Sequence, residues 1–131
     1  MPPINLASLL QLVLALGLLN VWLLRRGKPT AFRGGSASSL QQEFAAYGLP
    51  DAVFFGVGAL KLGAAAALLA GLWIPTLVLY AAGVLAVLML GALAMHLKIQ
   101  DPFPKSLPAL SMLAMTAILA LLKLSETGPA A

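Results

Sequence analysis

An all-α, polytopic membrane protein is the fold class this sequence predicts: an antiparallel four-helix transmembrane bundle with a short interfacial helix in loop 1–2. Three observations predict it. Of 131 residues, 61% are hydrophobic and 9% charged, whereas a soluble domain carries about 25% charged residues, so this chain could not cover a water-facing surface. The apolar residues gather into four runs long enough to span a bilayer. The runs are joined by short segments rich in Gly, Pro and basic residues, which turn the chain back on itself.

Residues 1–131 read as one four-span membrane domain without an internal repeat. The first span is expected from about Ile4 to Leu24, roughly 31 Å at 1.5 Å per residue. Arg25 and Arg26 stop it, and Trp22 is expected at interface depth. The opening stretch MPPINLASLLQLVLALGLLNVWLL has no basic n-region, and its arginines follow the apolar run, so it reads as a retained span and not as a signal peptide. In loop 1–2, SASSLQQEFAAYGLP places Ser39 three residues before Gln42, a capping box. Leu40, Phe44 and Tyr47 then recur at i, i+4, i+7 before Gly48 and Pro50. A short amphipathic helix at the interface is expected there, either a simple anchor, the default, or a lid over a cavity between the helices.

The second span is expected from about Asp51 to Leu72. Gly71, Trp73 and Pro75 make a short turn, with Trp73 as an interfacial residue, and the third span returns from about Pro75 to Leu97. The fourth, about Ser106 to Leu124, follows the stiff connection QDPFPK and has Pro108 in its first turn. Arg25, Arg26, Lys28 and Arg33 in loop 1–2 and Lys98 and Lys105 in loop 3–4 stand against Lys123 alone on the other side. That bias places both loops in the cytoplasm and both termini outside, in a bacterial inner or equivalent membrane.

The net charge of +4 fits topology and anionic lipid better than nucleic acid, for which no motif is visible. With no cysteine, the chain alone has no disulfide, thiol nucleophile, iron–sulfur cluster or Cys-based zinc site.

Lys61 is the residue out of place. It sits roughly 15 Å from either end of its span, where a lysine costs about 2.5 to 3.5 kcal/mol. Of the four acids, Glu43, Asp101 and Glu126 lie outside the spans and Asp51 only opens the second, so none stands inside one. Gln11 is expected at its depth on the first helix, Asn20 about 9 Å nearer the cytoplasm, and Ser111 and Thr116 are candidates on the fourth. Lys61 either sheds its proton on burial or stays charged beside a wet cavity or an anionic ligand. A cavity-facing Lys61 is preferred to one that snorkels to the headgroups.

Gly56, Ala59, Gly63 and Ala70 form a small-residue stripe expected to pack against a neighbouring helix. His96, the single histidine, reads first as a hydrogen-bonded structural residue; its functional readings are a pigment or haem ligand, a proton relay, or a donor to a quinone carbonyl. No second histidine or internal carboxylate accompanies it, so no metal site is expected. Met89, Met95, Met112 and Met115 read as core filling.

FAAYGLP (Phe44 to Pro50), GALKLGAAAALLAGLWIP and LMLGALAMHLKIQDPFPKSLPAL together resemble the DoxX-like family of small four-helix membrane proteins, over about residues 4 to 124. The resemblance implies a compact antiparallel bundle and carries over onto Gly48, Pro50, Gly58, Gly71, Met89 and His96. It also implies association with membrane oxidoreductase assemblies, including thiosulfate–quinone systems, or, as in eukaryotic relatives, a role as an assembly factor. Many members have an acid where this chain has Lys61, which puts a shared proton-linked role in doubt. The fold is also similar to four-helix quinone reductases, whose paired cysteines are missing here.

The expected function is a non-catalytic accessory subunit or scaffold of a membrane redox complex, in contact with the bilayer and other integral-membrane subunits. Its ligand would be a quinone or a lipid held between the helices, with no intrinsic cofactor. The alternative is a membrane-protein assembly factor. A small transporter is disfavoured because the first helix holds no acid. The spans offer one Lys, one His and a few amides, too little for a catalytic constellation.

Overall fold

Asn5 begins the first helix through a reciprocal cap. Its Oδ1 accepts the Ser8 N–H, and its own N–H donates to Ser8 Oγ, both at 2.9 Å. In the computed structural model, which describes residues 4–28 and 32–126, this helix is α1, Leu6–Leu19, running on into a π-helical turn, Asn20–Leu24. There follow α2 (Leu40–Ala46), α3 (Asp51–Ala70), α4 (Thr76–Lys98), a 3₁₀ turn (Phe103–Ser106) and α5 (Leu107–Glu126). Residues 1–3, at the head of the segment weighed above as a signal peptide, and residues 29–31 and 127–131 lie outside the described residues. All described secondary structure is helical, and four helices of 19 to 24 residues are apolar and long enough to cross a membrane. The protein is a polytopic four-helix membrane bundle.

The long helices pack in a ring, α1 on α3, α3 on α4, α4 on α5 and α5 on α1, while α2 lies against α3. Leu14, Leu18, Leu68, Val78, Leu85 and Leu119 fill the middle with essentially no exposure. Gln11 lies among them, and its amide donates to the Leu68 carbonyl at 3.0 Å. That carbonyl is in the last turn of α3, where the Leu72 N–H bonds Leu69 instead, so the glutamine satisfies an orphaned acceptor. Gln11 is therefore not beside Lys61, as depth counting had placed it. The antiparallel register of α1 and α3 sets Lys61 near Leu18 and Trp22.

The packing face of α3 also differs from the expectation. Gly56, Ala59 and Gly63 are exposed, Ala70 is half-buried, and a Cβ added at Gly56 or Gly63 would meet nothing within 4 Å. The buried row is Phe54, Gly58, Ala64, Ala65 and Leu68. Apart from Asp51 and Lys61, α3 is apolar all round and has small residues on more than one face, so a ring on another helix chooses which face packs. A Cβ on Gly58 would stand 2.7 Å from Trp22 Cζ3.

Trp22 is 2% exposed, turned into the bundle and away from the headgroups. It stacks on Phe54 (5.3 Å, 29°) and meets Phe44 edge-on (6.0 Å, 77°). Leu40, Phe44 and Tyr47 are likewise buried against the bundle, so α2 is folded into the protein instead of lying on its surface as an anchor. Arg25 and Arg26 are exposed at the end of the first span, and Trp73 is 68% exposed at the α3–α4 turn.

Candidate functional site: a polar cluster and cavity beneath the short helix

Seven residues make a helix too short to stand alone, and α2 is held at both ends. Ser39 Oγ accepts the Gln42 N–H at 3.2 Å. The Gln42 side chain does not complete the expected box but reaches Ser38, bonding its N–H at 2.9 Å and its hydroxyl at 2.7 Å. At the other end Gly48 is left-handed (φ +80°), with Leu49 N–H bonding the Phe44 carbonyl (3.1 Å) and Gly48 N–H that of Ala45 (3.0 Å), a Schellman stop. The helix so fixed turns Leu40, Glu43, Phe44 and Tyr47 inward.

Glu43 is the residue that sequence reading passed over, although i+3 from Leu40 puts it on the same face. Its Oε1 accepts the Tyr47 hydroxyl at 2.5 Å, and its Oε2 lies 3.4 Å from Arg33 Nη1. Arg33, read from sequence only as a topology charge, is buried, and its Nη2 also donates to the carbonyls of Arg25 (2.8 Å) and Lys28 (3.1 Å). Gly34 lets the Tyr47 ring close in, since a Cβ there would sit 2.7 Å from Tyr47 Cε1.

His96 completes the cluster from α4. Its Nε2 is 3.3 Å from the Tyr47 hydroxyl and its Nδ1 is 2.7 Å from Asp101 Oδ2. A second Schellman stop brings Asp101 there: Asp101 N–H bonds the His96 carbonyl (3.0 Å) and Gln100 N–H that of Leu97 (3.1 Å), with Gln100 left-handed at φ +55°. Asp101 Oδ1 accepts the Gly35 N–H at 2.9 Å, Lys98 Nζ donates to the Tyr47 carbonyl at 2.8 Å, and Lys105 Nζ donates to the Gly35 carbonyl. Loops 1–2 and 3–4 are thus stitched together across one end of the bundle.

The proton arrangement follows from donor counting. Burial would raise the Asp101 carboxyl, but the Gly35 N–H and the His96 ring outweigh it and hold the group below the usual aspartate range. Asp101 is therefore an acceptor for His96 Nδ1–H. Burial, then the Glu43 carboxylate, push the Tyr47 phenol up, so it stays neutral. The one phenol proton goes to Glu43. Tyr47 oxygen can then accept from His96 only if the imidazole is doubly protonated; a neutral His96 would accept from Tyr47 only with the proton on Glu43. Both ring nitrogens of His96 are engaged, so axial ligation of a pigment or haem would require displacing Tyr47. Among the described residues no group of three or more His, Asp and Glu is placed to hold a metal ion.

Beside this cluster lies a cavity of about 430 Å³. Its lining includes the polar Lys61, Glu43, His96, Arg33 and Arg25 and the apolar Leu18, Trp22, Met89 and Met112. Lys61 Nζ stands 5.5 Å from the Trp22 ring centroid. Asn20 is exposed and lines the same cavity. Gln11 does not line it, nor do Ser111, which is exposed, and Thr116, whose hydroxyl donates to the Met112 carbonyl at 2.6 Å. The structure thus brings Lys61, His96 and Asn20 around one space, with Glu43 and Arg33 added.

A family model described as the DoxX-like family matches residues 14–120. No curated protein and no solved structure matches the chain.

Proposed function

The chain belongs to the DoxX-like family, and on that premise we propose that it is a non-catalytic accessory subunit of a membrane redox complex whose cavity holds an amphiphile, a quinone or a lipid. The chain is a small integral membrane protein in contact with the bilayer. The observation that carries the reading is the mixed lining of the cavity: about 430 Å³ bordered by the donors Lys61 and Arg33 and by the apolar Leu18, Met89 and Met112. A molecule with a polar head and an apolar body matches such walls. The polar groups of the cluster are committed mainly to one another and to the loops, which suits holding a molecule better than transforming it. The excess of basic residues in loops 1–2 and 3–4 supports placing the cavity at the cytoplasmic side, with both termini outside.

Native purification followed by mass spectrometry of co-purifying proteins, lipids and quinones tests the reading. Wild-type protein should carry other integral-membrane subunits and an amphiphile. Ala109→Phe, which fills the cavity wall, should lose the amphiphile. Identical small-molecule content in the two folded proteins would refute the cavity's role.

A further inference from the structure

Cations outnumber carboxylates at the loop end of the bundle, and Lys61 is the one of them that lies well inside a span. Glu43 divides its carboxylate between Arg33 and the Tyr47 hydroxyl, and Asp101 divides its own between Gly35 and His96. Lys61 makes no ion pair or hydrogen bond among the described residues; the Glu43 carboxylate acts on it only from beyond ion-pair distance, and the face of Trp22 is its neighbour. One ring offsets only part of what an ammonium loses at that depth. A second donor is also unspent: Arg33 Nε is buried without an acceptor.

Both side chains line the cavity, which in all has four side-chain cations, Arg25, Arg33, Lys61 and Lys105, against the single carboxylate of Glu43. The cavity is not sealed. Four of its lining residues, Asn20, Arg25, Phe32 and Pro108, are exposed, so a molecule can reach it from outside.

We propose that this cavity takes an anionic phosphate-ester headgroup with Lys61 as its counter-ion. The proposal rests on the amphiphile reading above and deepens it by fixing the charge of the head. The same chemistry could come from a membrane phospholipid or from a soluble phosphate ester; the apolar lining by Leu18, Met89 and Met112, which an acyl chain can use, favours the phospholipid.

The test uses the full chain in nanodiscs of phosphatidylcholine doped with phosphatidylglycerol, with bound lipid counted by native mass spectrometry. Wild type should retain phosphatidylglycerol about fivefold above its bulk share, the preference one near-surface lysine gives. Lys61→Met should fall to the bulk share and Lys61→Arg should keep the preference. Melting in phosphatidylcholine alone verifies that Lys61→Met is folded; if it is not, Lys61→Gln replaces it. In a parallel arm, glycerol phosphate is added to nanodiscs lacking phosphatidylglycerol. A Lys61-dependent rise in melting temperature there, without lipid retention, assigns the site to a soluble phosphate ester. Bulk-share lipid with no phosphate response, or a preference that survives in Lys61→Met, overturns the proposal. A neutral quinone bound equally by wild type and Lys61→Met, without any phosphate response, overturns it while leaving the amphiphile reading intact. Retention of neither quinone nor lipid overturns both.

Discussion

Asp101 reaches His96 because Gln100 adopts a left-handed backbone, φ +55°, which a residue with a Cβ resists by about 1 to 2 kcal/mol. Gln100→Gly should therefore raise stability in detergent by about 1 kcal/mol, read from thermal unfolding; a lowered melting temperature would show that the glutamine side chain supplies something the backbone argument omits. The contribution of Asp101 has a definite pH sign. Its folded-state pKa is depressed, chiefly because the Gly35 N–H and His96 outweigh burial. The stabilisation is therefore whole above the ordinary aspartate value of about 3.9 and is lost as pH falls through the lower, folded-state value. Asp101→Asn should be less stable than wild type at neutral pH, and the gap should close in acid. A gap unchanged from neutral pH down to strong acid would contradict the assignment. At Leu68, fully buried, truncation to Ala should destabilise by about 2 to 5 kcal/mol, whereas Gly63→Leu, on the exposed face, should change little. The reverse ranking is what a packing stripe through Gly63 would require, so one pair of melting curves decides the facing of α3.

At the scale of elements, α2 shows how a weak helix becomes a fixed part of a bundle. Leu40, Phe44 and Tyr47 were legible as one face from their i, i+4, i+7 spacing, and Ser39 and Gly48 as its ends. The surface it would meet was not legible. A membrane interface and a protein groove ask for the same amphipathic pattern, and the aromatic cluster of Trp22, Phe44 and Phe54 decided for the groove. Trp22 continues the buried row Leu14, Leu18 at four-residue spacing, a signal available in the sequence beside the commoner rule that tryptophan marks interfaces. Because α2 carries Glu43 and Tyr47 into the polar cluster, loosening its ends should disturb the cavity. Ser39→Ala should cost about 1 kcal/mol, and Gly48→Ala about 1 to 2 kcal/mol for its φ of +80°. Hydrogen exchange at Phe44 and Tyr47 should quicken in both variants; unchanged protection would mean that packing alone holds the helix.

For the molecule as a whole, the connections on the α2 side carry the polar bonds, through Gly35, Tyr47, His96, Asp101 and Lys105, and the opposite end relies on the Gly71–Pro75 turn and on Gln11. The bundle is accordingly asymmetric along the membrane normal, matching the asymmetry of its basic residues. With the loops cytoplasmic as proposed, a reporter fused after Lys123 should be active only outside. A C-terminal reporter active only in the cytoplasm would invert the topology and place the cavity in the other leaflet.

The sequence by itself determined the architecture, because hydrophobic run length and turn residues are local quantities and a bilayer admits few ways to satisfy a helix backbone. Four spans, their approximate ends, the short helix between the first two and the oddity of Lys61 could all be read from it. The tertiary structure alone decided which face of α3 is buried, that Gln11 serves the Leu68 carbonyl, and that Glu43 and Arg33 join His96 beside Lys61. In a chain apolar on every side, helix rotation leaves no amphipathic trace. Rotation and register are set by a few bulky rings and unpaired carbonyls finding partners many residues away, and those pairings exist only once the helices have met.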